Sequence, residues 1–384
     1  MGIGRVSTQF FVANTPAGEP FVLDDGCELP RLEVAYETYG TLNSARDNAI
    51  LLFHAISGSQ HAAGYNPSVN SVGKLWTEEC KSGWWDSFIG PAKALDTERY
   101  FVICANYIGS CYGSTGPLSV DPKTAQPYMG NFPWPSIWDV LRTQVALLDH
   151  MGISALHATI GASLGGKMAL GLATRYPERV KTVIALACGM DVTILQRILN
   201  YEQILAIESD RNFNGGHYQG NAKPDDGLSL ARIIAHKTYV SLEVLADRAR
   251  DELRGNGGGN GHYAMTHPVE SYMLHHGKKF VERFDANSYL RMLSLWQRYD
   301  LFDGLEEGKK LDLFSRCRGQ RFLIFSIDSD VCFYPEEQAL IVSALEGQGI
   351  PVKHITVHST KGHDAFLLEP DLFAPYISYV LKGG

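Results

Sequence analysis

A chain of 384 residues, 45% hydrophobic and 20% charged, can bury the core of an α/β domain that carries an insertion. A formal net charge of −8, with no run of lysine or arginine, argues against nucleic acid as a partner. No apolar stretch reaches the roughly 18 residues of a membrane span, and the first residues lack the basic start, apolar middle and small-residue cleavage site of a signal peptide. Gly2 stands where a myristoylation start would, but the residues after it fit that signal poorly. The seven cysteines are scattered without a C-x-x-C pair, which suits reduced thiols in a cytoplasmic protein better than a disulfide framework or a zinc site.

In chain order, AILLFHA (Ala49 to Ala55) and YFVICAN (Tyr100 to Asn106) are continuous apolar runs, predicted as strands buried on both faces of a parallel sheet. SIWDVLRTQVALLDHMG follows as a helix, with Ser136 as cap and Gly152 as stop. The stretch HATIGASLGGKMALGLA (His157 to Ala173) then changes period within about two residues. Leu156 to Ile160 reads as a strand with His157 and Thr159 turned outward, and Lys167 to Arg175 reads as a helix. Between them, Gly161-Ala162-Ser163-Leu164-Gly165 fits G-x-S-x-G, a sharp turn that lifts a serine hydroxyl clear of the backbone. A glycine-rich turn with an incidental serine competes with this reading, and the strand before and helix after favour the elbow. VKTVIALA (Val180 to Ala187) is the next strand.

From about residue 189 to 300 strand-like runs disappear. VTILQRILNYEQILAIE, GLSLARIIAHKTYVSLEVLADRARDEL and the stretch from MTHPVESY to WQRYDL read as helices, and GNGGGNG (Gly255 to Gly261) as a flexible break. Alternation then returns with RFLIFSID (Arg321 to Asp328), a helix from Glu336 to Gly347, VKHITVH (Val352 to His358) and a last helix near Asp371 to Leu381. The predicted architecture is a mostly parallel α/β core of residues 1–188 and 305–384, flanked by helices and interrupted by a helical lid at 189–304.

A nucleophilic serine needs a base, and the base needs an acid to fix its tautomer. Chain order for this kind of sheet is serine, acid, histidine, with the later two after late strands. Asp328 and Asp330 follow one such strand; His354 and His358 fall within the next, and His363 lies in the loop beyond it. Asp330 and His363 are assigned, with Asp328 as the second candidate for the acid. Taken singly, an aspartate after a strand is more often a turn former, and a loop histidine more often incidental. The order and placement of all three carry the assignment. The oxyanion donors are assigned to the N–H of Leu164 and, in the loop FHAISGSQH, the N–H of Ile56. His54 in that loop reads as a packed residue. No H-E-x-x-H, H-x-x-E-H or Walker lysine occurs, and GNGGGNG lacks a preceding strand and a following helix, so neither a metal nor a tightly bound cofactor is expected.

YETYGTLN, GWWDSFIGPAKALDT, YFVICANYIGSCYGSTGP, IGASLGGKMAL, GLSLARIIAHKTY, KKFVERFDANSYL, SIDSD and KGHDAFLLE together resemble the homoserine O-acetyltransferase family, in family order and over nearly the whole chain. The resemblance implies an α/β-hydrolase fold and transfer of acetyl from acetyl-CoA to the homoserine hydroxyl, in methionine biosynthesis. It places nucleophile, acid and base on Ser163, Asp330 and His363, and substrate binding on Arg232 and Asp364. An arginine suits the amino acid's carboxylate and an aspartate its ammonium. It also implies a homodimer built through lid helices, with SLWQRY exposed. Ser110, Tyr112 and Trp138 depart from the family pattern and are expected near the acyl-donor or acceptor channel. Lys278, Lys279 and Arg283 either meet coenzyme A phosphates or merely solvate a helix, and stay outside the predicted site. Relatives use succinyl-CoA or accept serine, so donor and acceptor remain open. The rival classes are an esterase or thioesterase, and a non-enzymatic protein that kept the fold.

Overall fold

The computed structural model describes residues 2–13, 18–218, 220, 222–251, 265–305 and 307–383. The predicted flexible break at 255–261 lies outside them. Among the described residues, eight strands form the main sheet: β1 (Gln9–Val12), β2 (Glu33–Tyr39), β3 (Ala49–Phe53), β4 (Phe101–Ala105), β5 (Ala158–Ala162), β6 (Thr182–Leu186), β7 (Arg321–Ile327) and β8 (Val352–Val357). Their spatial order is β1-β2-β4-β3-β5-β6-β7-β8. β2 pairs antiparallel with both β1 and β4, and every other pairing is parallel.

Successive residues of the central strands enter opposite apolar layers. Leu51 and Phe53 join one cluster, and Ile50 and Leu52 the other. A strand buried on both faces has no polar side to show, which is why these segments read as unbroken apolar runs. The first layer holds α1 (Ile137–His150) and α2 (Leu164–Arg175); the second holds the last helix, Ala374–Leu381. α1 begins at a capping box of Ser136 and Asp139 and stops before Gly152, whose φ of 67° permits the turn that a side chain would resist.

Between β6 and β7 the chain forms α3 (Ile194–Glu208), α4 (Asp225–Tyr239), α5 (Leu242–Asp251), α6 (Pro268–Arg283) and α7 (Ala286–Gln297). Two stretches expected as continuous helix are broken. Val240 adopts extended backbone between α4 and α5, and Phe284 between α6 and α7, where Asp285 caps α7. The exit and re-entry of this block meet at the core. Leu301 N–H donates to Met190 O at 3.1 Å, and the buried Lys167 ammonium on α2 donates to Gly189 O at 3.1 Å and to Asp191 O.

Three expectations are corrected. β5 starts two residues later than Leu156, which makes only an isolated bridge to Val180, and the strand runs to Ala162. Thr159 is buried, not turned outward; its hydroxyl donates to Leu51 O at 3.3 Å, satisfying it within the sheet. SLWQRY is not an apolar surface: Leu295 and Trp296, in the last turn of α7, and Tyr299 just after it are buried. The exposed apolar face lies on α3 instead, at Ile194, Ile198, Tyr201 and Leu205.

Candidate active site

β5 runs into the turn that carries Ser163. Its φ of 58° and ψ of −125° lie in a region that side chains resist, a strain of about 1–3 kcal/mol that the surrounding fold must hold. The two flanking glycines are required by contact. A Cβ on Gly161 would lie 2.2 Å from Gly165 O, and one on Gly165 would lie 2.4 Å from Phe53 O. Ser163 N–H donates to Leu186 O at 2.9 Å, so β6 fixes the turn from the other side. As the first residue of α2, Leu164 has an N–H that helix pairing does not use, at the positive end of the helix dipole.

Asp330 follows β7 and is buried. Its Oδ1 accepts from the N–H groups of Cys332 (2.8 Å) and Phe333 (2.9 Å), and its Oδ2 lies 2.6 Å from His363 Nδ1. An ionised carboxylate only accepts, so Nδ1 carries the proton and Nε2 presents a lone pair. Nε2 is buried without a hydrogen-bond partner. His363 sits on a short turn after β8, stacked on Phe333 at 5.3 Å and met edge-on by Phe366 at 5.3 Å. Burial favours its neutral form, but the charge and hydrogen bond of Asp330 prevail and raise its pKa above the ordinary histidine value. Asp328 is engaged elsewhere: it accepts from His358 at 2.8 Å and from Ser359 N–H at 3.0 Å, at the surface.

Ser163, His363, Ile56, Arg232 and Asp364 line one cavity of about 170 Å³, with Tyr239, Trp84 and Arg283. The structure therefore brings the two halves of the sequence-predicted site together. Arg232 reaches the cavity from α4; its guanidinium lies 5.3 Å from the Tyr239 ring and 4.9 Å from the Phe280 ring, and Nη1 is buried without a hydrogen-bond partner. An orphaned guanidinium N–H in such a place suits an anion. Gly362 (φ of 71°) lets the His363 turn approach the α4–α5 link, where a Cβ would lie 2.7 Å from Ser241 N. His54 is packed as expected: it stacks on Tyr107 at 3.7 Å, its Nδ1 lies 2.8 Å from Ala55 O, and burial pulls its pKa down to about 4.

Three cavity residues escape the sequence reading. Tyr239 and Trp84 have no chemical signature of their own. Arg283 was grouped with surface cations, yet its side chain is mostly buried. The only signal available for Arg283 was its place inside the family segment KKFVERFDANSYL. Lys167, four residues after Ser163, is fully buried, its ammonium 4.5 Å from the Tyr299 ring and 5.2 Å from the Phe333 ring. Burial lowers its pKa and raises that of Glu337 beside it. Of the departures, Tyr112 lines a neighbouring cavity, whereas Trp138 lies away from the site: it is packed against Arg175, whose guanidinium sits 4.9 Å from its ring.

Among the described residues, no cluster of three His, Cys, Asp or Glu side chains is arranged to hold a metal ion, and no helix is long and apolar enough to cross a membrane.

The sequence pattern of the alpha/beta hydrolase fold family matches residues 48–370. A homoserine O-acetyltransferase of Methanosalsum zhilinae is 39% identical over 99% of this chain and 73% of that protein. A homoserine O-succinyltransferase of Alkalilimnicola ehrlichii is 40% identical over 91% of this chain and 88% of that protein. Among solved structures, homoserine O-acetyltransferase from Bacillus anthracis (27% identity, 98% of this chain and 97% of that one) and esterase E22 (26% identity, 98% and 100%) both superpose with a TM-score of 0.86. The chain belongs to the α/β-hydrolase fold family and, within it, to the homoserine O-acetyltransferase family.

Proposed function

We propose that the protein is an acyltransferase that moves acetyl from acetyl-CoA to the hydroxyl of homoserine, through an acyl-serine, in the cytoplasmic synthesis of methionine. The observation that carries this reading is the pairing, in one cavity, of an Asp330–His363 couple presenting a free Nε2 with an Arg232 nitrogen that has no partner. The first serves any acyl transfer to serine; the second serves an acceptor with a carboxylate.

In the first half-reaction His363 Nε2 takes the Ser163 proton as Oγ attacks the thioester carbonyl. The N–H groups of Leu164 and Ile56 receive the developing oxyanion. The tetrahedral centre collapses, the C–S bond breaks and the coenzyme A thiolate leaves with the proton from His363. In the second half-reaction the acceptor hydroxyl gives its proton to His363 and attacks the acyl-serine; the Ser163 Oγ–acyl bond then breaks, and Oγ takes the proton back from His363 as the new ester leaves. Arg232 holds the carboxylate and Asp364 faces the ammonium, so the hydroxyl arrives oriented. The helices between β6 and β7 act as a lid that limits water, the competing acceptor. We further propose a homodimer packed through the apolar face of α3, with small-molecule substrates as the other partners.

Release of free coenzyme A thiol tests the reading, with acetyl-CoA or succinyl-CoA each supplied with homoserine, serine or no acceptor. Fast release only with an amino-acid acceptor, and parallel double-reciprocal lines, are expected. Similarity to esterase E22 supports a hydrolase as the second reading, and fast release without acceptor would establish it instead.

A further inference from the structure

A second cavity of about 180 Å³ adjoins the first and shares Ser57, Gly58, Trp84 and Arg283 with it. The shared wall begins one residue after Ile56, whose N–H the reading above gives to the acyl carbonyl oxygen. Two guanidinium groups flank the junction, 4.9 Å and 5.0 Å from the Phe280 ring, and they differ in one respect. Arg232 keeps Nη1 without a partner. Arg283 is engaged at two of its nitrogens: Nε pairs with Glu79 Oε1 at 2.8 Å, and Nη1 donates to Ser57 O at 3.1 Å and to the Tyr112 hydroxyl at 2.9 Å. The other Glu79 oxygen lies 2.5 Å from Lys279 Nζ. Arg232 thus keeps an unpartnered N–H, whereas Arg283 is paired with the protein's own Glu79 carboxylate, which Lys279 shares.

We propose that Glu79 selects the acyl donor: by occupying Arg283, it sets the second cavity for an uncharged acyl tail and excludes a donor whose acyl group ends in a carboxylate. The proposal rests on the acyltransferase reading above. A succinyl tail carries its carboxylate two carbons beyond an acetyl methyl, toward the Glu79 carboxylate, which repels it and already pairs with Arg283. Tyr112, one of the three residues that depart from the family pattern, supports the same arrangement, since its hydroxyl also donates to Arg283 O at 2.7 Å and holds the end of α6 in place.

The test compares kcat/KM for acetyl-CoA and succinyl-CoA, with homoserine as acceptor, in the wild type, Glu79→Gln and Tyr112→Phe, each checked for a native thermal transition. Intact-mass measurement of the acyl-enzyme runs alongside. The wild type is expected to prefer acetyl-CoA, and Glu79→Gln to shift the ratio toward succinyl-CoA by about 10-fold or more, the scale of one charge–charge interaction near a protein surface. Tyr112→Phe frees an Arg283 donor without changing charge and is expected to shift the ratio in the same direction by less. A wild type that prefers succinyl-CoA, or ratios unchanged in both variants, overturns the proposal while leaving acyl transfer intact. If neither donor leaves an adduct on Ser163, the acyltransferase reading falls, and this selection with it.

Discussion

Ser163, Asp330 and His363 were legible as residues because nucleophile chemistry fixes both their types and their chain order. The ambiguity between Asp328 and Asp330 was not legible, since both follow β7. Only the fold shows Asp328 turned to the exposed His358 and Asp330 turned inward, with two backbone donors and His363. The raised pKa of His363 has a kinetic consequence. The base must be neutral, so kcat/KM is expected to fall as pH drops through a value above the ordinary histidine range of about 6.5. Asp330→Asn removes the charge and replaces one of the two acceptor oxygens by an NH2 donor, and should move this acidic limb to lower pH while cutting the rate by roughly 10⁴-fold. The pairing also stabilises the folded state most at low pH, and that contribution is lost as pH rises through the raised value. Arg232→Met should raise the KM for the amino-acid acceptor by about 10- to 100-fold, as expected for a charge-assisted hydrogen bond, without slowing acylation of Ser163 in single-turnover measurements.

At the scale of elements, the strands buried on both faces and the elbow were legible, because unbroken apolar runs and a G-x-S-x-G turn have steric causes. β1 and β2 were missed. β2, EVAYETY, carries the polar Glu37, buried by hydrogen bonds to Thr8, Tyr39 and Asn66 that no periodicity signals. The breaks between α4 and α5 and between α6 and α7 were missed too. Each is an excursion of one or two residues into extended backbone, at Val240 and at Phe284 and Asp285, within a helix-favouring run. The elbow makes a sharp prediction. Gly165→Ala drives a Cβ to 2.4 Å from Phe53 O and should cost at least about 2 kcal/mol, read as a lowered thermal midpoint. Gly347→Ala, where nothing lies within 4 Å and φ is not positive, should change stability by about 0.5 kcal/mol or less.

For the whole molecule, the return of strand–helix alternation after a helical block was enough to predict an α/β core with an insertion, and the sheet bears this topology out. What alternation does not carry is which face of the inserted helices stays uncovered. SLWQRY was expected as a surface alongside the dimer that the family resemblance implies, yet its Leu295, Trp296 and Tyr299 pack inward, while α3 exposes Ile194, Ile198 and Tyr201. Ile194, Ile198, Tyr201 and Leu205 recur at helical spacing along one side, the pattern of a face that packs against another apolar surface. Sedimentation of the wild type is expected to give a dimer, and Ile198→Glu a monomer; a monomeric wild type would remove the α3 interface.

The central claim is that Ser163 carries the acyl group between two substrates and that the cavity favours an amino-acid acceptor over water. It is tested most directly by mixing the protein with acetyl-CoA alone, measuring the acetyl adduct on the Ser163 peptide by mass spectrometry, and then adding homoserine. The adduct should accumulate in the absence of acceptor and disappear on addition of homoserine, with O-acetylhomoserine as the product. An adduct on another residue, or one that water removes as fast as homoserine does, would contradict it.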